Sequence, residues 1–539
     1  MDKAEVVFRY HEETKHHFNR LARSLGYLDW ANQPEPFRFY KGAEQIELPL
    51  IKNDLDLSYE HLYKKPEKSK EINVYTVSKF LELALGLSAW KAIPGSQWSL
   101  RMNPSSGNLH PTEPYLVLFE EDLNGTFHYN PLLHNLEKLA EIDEDDKNII
   151  SNFFKTEGFL IALSSIYWRE AWKYGERAFR YCNHDVGHAL GSIRFSANLN
   201  GWKVKILNAV SDEEISTIFG FDKRKWVKDE KEFPEVLCWV YKEDTQIPKD
   251  IPEKFVSNQK VKEFKGVPNR LSEEHVRWEI IYEVSEATKK PKTKPTEIDL
   301  PSLDLNFYSK SEFPAPYIIR KRRSAVAYDR TAYMPKEKFL NILDKTLERK
   351  DYSPFDIELS SPQINLVLFV HRVKGLEQGL YFFSRDDEKT EIFKGVSSPE
   401  FLWEEKENNL FLLYKGNFEI TAKLVSCRQD IAGDSCFSLG MLAYFKENII
   451  KAPYSYRHLH WEAGLIGQVL YLEAEAQGFR GTGIGCFFDD AVHEILGLKD
   501  NTFQTIYHFT IGKPLEDPRL RTLPPYYHLP ENRFIDIKI

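Results

Sequence analysis

A chain of 539 residues exceeds the usual size of a single core, so two or more domains are expected. Its 72 basic and 81 acidic residues leave a net charge of -9 with no dominant basic stretch, which argues against a general nucleic-acid binder. No run approaches the ~20 apolar residues of a membrane span, and the charged start "MDKAEVVFRYHEETKHH" has no apolar leader core, so a cytoplasmic protein is expected.

In chain order, "SKFLELALGL" (78–87) has helical apolar spacing. "RMNPSSGNLHPTEPY" (101–115) is a polar, proline-stiffened loop that runs straight into the strand-like "YLVLF" (115–119). Residues 185–199 have a helical period that stops at Gly201, and "VLCWVY" (236–241) is strand-like. "SEATKKPKTKPTEIDLPS" (285–302) is rich in Lys, Pro and Thr and has the composition of a polar, extended linker whose lysines form a solvated tether. The series then recurs. "EKFLNILDKT" (337–346) is helical, "NLVLF" (365–369) strand-like, 462–477 helical up to Gly478, and "TIYHFTI" (505–511) strand-like.

The recurrence holds one offset. Arg180 and Arg457, Gly187 and Gly464, Ala197 and Ala474, and Gly201 and Gly478 each stand 277 residues apart, as do "IFGF" (218–221) and "ILGL" (495–498). A duplication is expected, with domain 1 over 1–284, a linker over 285–302 and domain 2 over 303–539. Strand-like segments follow one another without intervening helices. The fold class expected is therefore α+β, a mainly antiparallel sheet flanked by helices in each unit.

Together, "NPSSGNLHP" (103–111), "RKRRSAVAYD" (320–329) and "GTGIGCFFDDAVHEILGL" (481–498) resemble the nitroreductase family of FMN enzymes. "YHEETKHHFNRLARSLGYLDW" (10–30) and "WKYGERAFRYCNHDVGH" (172–188) resemble its SagB/ThcOx-type branch, which includes dehydrogenases that oxidise peptide azolines to azoles. The resemblance implies two tandem nitroreductase-like domains forming an intrachain pseudo-dimer, so that a monomer suffices, with FMN at the junction. Arg322, Arg323 and Ser324 would take the phosphate. Pro104, Ser105, Ser106 and Asn108 would reach the flavin from the other unit, and Ile484, Gly485 and Cys486 would face its ring. The family often has a basic residue where Val326 stands, and Arg519 or Arg521 is the expected substitute. Lys173 and Tyr174 match a pair linked to azoline oxidation, and serve equally as an exposed lysine beside a core tyrosine.

Each motif is split. "PSSGN" occurs only in unit 1, while "RKRRS" and "GTGIG" occur only in unit 2, so one complete site per chain is expected. The implied substrate is a small molecule or peptide, with NAD(P)H-dependent nitro- or quinone reduction as one alternative and a flavin-free peptide-binding partner as another. The five cysteines form no close pair and suggest no disulfide framework, with Cys182 and Cys486 as buried packing residues. His184 and His188, four apart on a helix, find no third ligand, so no metal is expected.

Overall fold

The computed structural model describes residues 2–243 and 245–539. Each half contains one seven-stranded sheet. In the first half, strands β1 (Glu44–Glu47), β2 (Thr112–Glu120), β3 (Leu123–Asn130), β4 (Asn135–Ala140), β5 (Gly158–Ser165), β6 (Lys203–Ile206) and β7 (Phe233–Tyr241) lie in the order β6-β7-β5-β2-β3-β4-β1. In the second half, β8 (Ile364–Val370), β9 (Gly379–Phe383), β10 (Glu404–Glu407), β11 (Leu410–Lys415), β12 (Phe437–Tyr444), β13 (Arg480–Ile484) and β14 (Phe503–Gly512) lie in the order β13-β14-β12-β8-β9-β11-β10. Six strands follow the same order in the two halves, while the far edge strand differs in its place along the chain, Glu44–Glu47 preceding all the others in the first half and Glu404–Glu407 lying between β9 and β11 in the second; every neighbouring pair in both sheets is antiparallel. The expected α+β class holds. "YLVLF" and "NLVLF" fall in β2 and β8, the central strands, whose continuous apolar runs are buried on both faces.

Two long helices join the halves: α1 (Ala178–Leu199) and α2 (Ser455–Ala476), each buried along nearly its whole length. They cross at Gly187 and Gly464. A Cβ on Gly187 would collide with the Trp461 carbonyl, and one on Gly464 with the His184 carbonyl, so only glycine permits this approach. Both helices stop at the predicted glycines, Gly201 (φ +75°) and Gly478 (φ +79°), in the left-handed conformation of a C-terminal cap. Buried ion pairs flank the crossing symmetrically. Arg180 binds Asp489 at 2.7 Å, and Arg457 binds Asp212 at 2.8 Å. The largest apolar cluster runs through both halves without a break. The result is two tandem α+β domains packed as an intrachain pseudo-dimer.

The structure departs from the sequence-based expectations in three places. The segment expected to be a free linker begins inside a helix, Glu279–Ala287, and its lysines are tied down: Lys289 pairs with Glu213, Lys292 with Glu214 and Asp250, and buried Lys290 donates to the Val210 carbonyl. Composition describes solvation, and it missed these carboxylate and carbonyl partners. Second, the C-terminal residues return to the first half: Arg521–Leu523 pairs with Leu87–Ile93, and Phe534–Ile535 pairs with Leu50–Ile51. Third, Cys427 and Cys486 are joined in a disulfide, although they stand 59 residues apart in sequence. Among the described residues no helix is long and apolar enough to cross a membrane.

Candidate active site

A cleft at the junction of the halves opens into two adjoining cavities that share Pro104, Ser105, Gly107 and Ser324. The first, of about 410 Å³, is lined by Tyr174, Tyr181, Asp185, Tyr507, Gly483–Cys486 and the Cys427 loop; we term it the ring cavity. The second, of about 400 Å³, is lined by Lys91, Arg322, Arg323 and Arg480; it is the basic cavity. A larger cavity of about 770 Å³ lies beside Asp212 and Arg457, mixes both charge signs, and contains none of the predicted site residues.

The loop after Ser96–Arg101 enters the cleft because Gly107 (φ +61°), Asn108 (φ +60°) and His110 (φ +53°) all turn left-handed. A Cβ on Gly107 would lie 2.7 Å from the Tyr174 hydroxyl, so a bare glycine lets the tyrosine cover the loop. Asp185, on α1, fixes the loop from beneath. Its carboxylate accepts from Ser105 Oγ at 2.7 Å, from the Ser106 amide at 3.2 Å and from Ser106 Oγ at 3.3 Å. Asn108 donates to the Ser99 carbonyl at 2.9 Å and shares a bond with His110 Nε2 at 2.8 Å, so its side chain braces the loop rather than facing the ring cavity.

From the second half, the helix Ala315–Lys321 ends at Arg322. The Arg322 guanidinium donates across the junction to the carbonyls of Arg101 (3.0 Å) and Met102 (3.2 Å) and lies 5.1 Å from the Tyr471 ring centroid. Arg323 donates to the carbonyls of Arg320 and Arg322, both at 2.7 Å. Neither arginine pairs with a carboxylate among the described residues. Burial pushes Arg322 below its usual range. Burial and the Arg322 charge together bring Arg323 down to about 10. Ser324 Oγ hydrogen-bonds Tyr471 Oη at 2.8 Å, and that hydroxyl accepts from the Gly483 amide at 2.9 Å, linking the basic cavity to the ring cavity. The Gly485 carbonyl is held from the first half by Arg177 Nη2 (3.0 Å) and Tyr181 Oη (3.1 Å).

The structure thus brings Pro104, Ser105, Ser106, Asn108, Tyr174, Arg322, Arg323, Ser324, Ile484, Gly485 and Cys486 to one cleft. Lys173 stands behind the wall, with Nζ 5.3 Å from the Tyr174 ring centroid. Arg519 and Arg521 are not brought there. The Arg519 side chain is 84% exposed and bonded to Asp517 at 2.7 Å, and Arg521 is exposed in a strand that pairs with Ala92. The cations that do line the basic cavity, besides the arginine pair, are Lys91, Arg101 and Arg480, the last paired with Glu516 on the same wall.

Sequence reasoning missed Asp185, Glu170, His188, Tyr471, Tyr507 and Cys427. Asp185 was visible as the one acid on the 180–199 helix, but nothing in spacing told that it faced the loop. Burial pushes the carboxyls of Asp185 and Glu170 up, and the charge of Asp185 adds to the effect on Glu170. Ser105 Oγ touches both, at 2.7 Å and 3.4 Å. Burial, then the Glu170 charge, raises the Tyr174 hydroxyl well above its usual range. His188 bridges Gln468 (3.2 Å) and the Tyr507 hydroxyl (3.0 Å), and burial pushes it down to about 3, so it is neutral. His184 stacks on Tyr507 with ring centroids 4.1 Å apart.

Residues 319–513 match the sequence profile of the Nitroreductase family. That segment carries Arg322, Arg323, Ser324 and Gly483–Cys486 and so includes the second half's contribution to the cleft. Among solved structures, an Anabaena variabilis protein provisionally assigned as a nitroreductase superposes over 95% of this chain and 99% of its own, with a TM-score of 0.68 and 22% identity. The likeness is one of fold and extends over both halves. A Ralstonia eutropha protein, likewise provisionally assigned as a nitroreductase, covers 41% of this chain and 90% of its own at 16% identity and a TM-score of 0.27. The Escherichia coli microcin synthetase McbBCD complex covers 45% and 94% at 17% identity and a TM-score of 0.28. No curated protein sequence matches the chain.

Proposed function

We propose that the chain is an FMN-dependent oxidoreductase of the SagB/ThcOx type, in which hydride passes between a small or peptide substrate and flavin N5, with azoline oxidation as the reaction favoured. The observation that carries this reading is the pair Arg322 and Arg323. Two half-buried to buried guanidiniums without carboxylate partners among the described residues fit a dianionic phosphate, and they lie one cavity away from a chamber lined by Tyr174, Tyr507 and the Gly483–Cys486 backbone.

Bound there, FMN would supply a two-electron acceptor for hydride. The remaining work falls to the chain. Arg322, Arg323 and Ser324 hold the phosphate, and Lys91 and Arg480 add positive charge. Ser105 and Ser106, pinned by Asp185, hold the loop that closes the cleft. Removing hydride from an azoline leaves a proton on the adjacent atom; the Tyr174 hydroxyl, kept protonated by burial, would serve as a relay that accepts this proton as it releases its own toward Asp185, with Lys173 beside its ring.

The halves are read as a duplication, with domains over 1–284 and 303–539. The constant offset relates not only single residues but whole contacts, since Arg180–Asp489 and Arg457–Asp212 are each other's counterparts. One flavin per chain follows. The region equivalent to the cleft is filled by the bidentate Arg194–Asp356 pair (2.7 and 2.8 Å) and by Glu358 between Lys205 and Lys249. NAD(P)H-dependent nitro- or quinone reduction is the second reading, supported by the name of the family that residues 319–513 match. Titration of apo-protein with FMN is expected to saturate at one equivalent. Oxygen-driven oxidation of an azoline peptide against NAD(P)H consumption with a quinone then separates the two reactions. Absence of any flavin binding would leave the flavin-free partner reading instead.

A further inference from the structure

The Cys427–Cys486 pair belongs to no step above. We propose that it is a second redox centre, a dithiol/disulfide couple that exchanges an electron pair with the group held in the ring cavity. The proposal rests on the flavin reading of that cavity.

Four observations place it there. Both cysteines line the ring cavity and both are partly accessible, whereas Cys182, Cys238 and Cys436 are buried. Burial pushes all three buried thiols up, Cys436 to about 11, so their reactive thiolates are suppressed. Second, the bond is not needed as a staple. The same two segments are already joined by the Phe488 amide on the Val425 carbonyl at 2.7 Å, and by Gln429 Nε2 on the Cys486 carbonyl at 3.2 Å. The two sulfurs therefore stay opposed when the bond opens; their Cα atoms are 5.8 Å apart. Third, Cys427 (φ +53°) and Arg428 (φ +61°) are consecutive non-glycine residues in the left-handed region. That conformation is unfavourable for a residue with a Cβ and is found where a fold holds a group in a set position. Here it turns Cys427 into the cavity while Arg428 stays exposed. Fourth, Arg177, which also pairs with Asp489, donates to the carbonyl of Gly485, one residue before Cys486, and so fixes the backbone that carries that sulfur.

The step balances. A two-electron-reduced flavin and the cystine give an oxidised flavin and two thiols. The S–S bond breaks, two S–H bonds form, and the flavin gives up two electrons and two protons. In reverse, two thiols reduce the flavin and close the disulfide. The site can then take electrons from a substrate dithiol or hold a second pair between turnovers.

The test is an anaerobic dithionite titration of the full chain loaded with FMN, followed by absorbance, with thiol alkylation and mass analysis at each point. The expected result is two electron pairs taken up per FMN, with Cys427 and Cys486 becoming alkylated as the second pair enters. The double substitution Cys427→Ser, Cys486→Ser is expected to take up one pair. A wild-type protein that bleaches fully with one pair and leaves both cysteines unlabelled has a structural cystine, and the proposal falls while the flavin reading stands. The same holds if air reoxidation after reduction restores the flavin but never the disulfide. A chain that retains no FMN overturns the flavin reading and this proposal with it. The wild-type count and the labelling stand on their own if the double variant does not fold.

Discussion

Replacing Arg323 by alanine isolates the phosphate contribution. In the unliganded fold its guanidinium bonds two nearby carbonyls and lies 3.4 Å from Ser88 Oγ. Burial and Arg322 hold it at about 10 against an ordinary 12.5. At ~1.4 kcal/mol per pH unit, that environment disfavours the cation by on the order of 3 kcal/mol. Removing the charge relieves this cost, while the lost bonds cost about 1 kcal/mol each. The unliganded variant should therefore melt within a few degrees of wild type. A phosphate dianion reverses the balance, because a charge-assisted bond contributes about 1.5–3 kcal/mol, and FMN affinity should fall roughly ten- to a hundredfold. Fluorescence titration with FMN and, in parallel, with riboflavin gives the decisive comparison. Riboflavin has the ring and ribityl chain but no phosphate, so its affinity should be the same for wild type and variant. Equal losses for both ligands would mean that Arg323 supports the cleft's shape, and no loss for either would move the phosphate site elsewhere.

Asp489→Asn removes the anion that Arg177 and Arg180 surround and should cost about 3–5 kcal/mol by denaturant unfolding. Because Asp489 is held far below the usual carboxylate range, its stabilisation is full above about pH 4 and is lost as pH falls below it, so the variant's acid limb should be flatter. Asp185 is shifted the other way: burial raises it, so the fold retains a proton the unfolded chain has released, and stability falls as pH rises from about 4 toward neutrality. Asp185→Asn should flatten that fall in a series of melting temperatures, and an unchanged slope would assign the proton to Glu170. Lys173→Ala and Tyr174→Phe should retain FMN and slow azoline dehydrogenation by ~10²–10⁴-fold, whereas loss of flavin from either would make them structural.

Much of the architecture was legible because period and offset are local properties. The helices ending at Gly201 and Gly478 and the central strands at "YLVLF" and "NLVLF" lie where apolar spacing puts them. The cleft was legible only as far as motifs reach: "PSSGN", "RRS" and "GTGIGC" meet, but the acid beneath the loop and the tyrosine joining Ser324 to Gly483 are single residues whose roles come from packing. Arg519 and Arg521 show the opposite error. The missing basic residue at Val326 suggested them, yet Asp517 and a strand pairing with Ala92 hold both outside the cleft. The disulfide was out of reach, since 59 residues separate its cysteines and only the fold brings them together.

The symmetry of the junction explains which residue of the site was free to change. Asp185 and Glu462 stand 277 residues apart at equivalent places on α1 and α2, and both do the same mechanical task. Asp185 accepts from Ser105 and Ser106, and Glu462 accepts from the amides of Gln363 and Ile364, in the loop that stands where "PSSGN" stands in the first half. A buried carboxylate that only pins a loop is best neutralised, and Glu462 is: Arg385 binds it at 2.7 Å. Asp185 has no cationic partner among the described residues, and it lines the ring cavity. Burial raises both acids; on the side where the cleft is filled by the Arg194–Asp356 pair the Arg385 guanidinium opposes that shift at Glu462, whereas on the open side Asp185 has only hydrogen bonds to oppose it and faces the cavity. That difference between two otherwise equivalent positions separates loop support, which both halves need, from chemistry, for which only one half has kept the space.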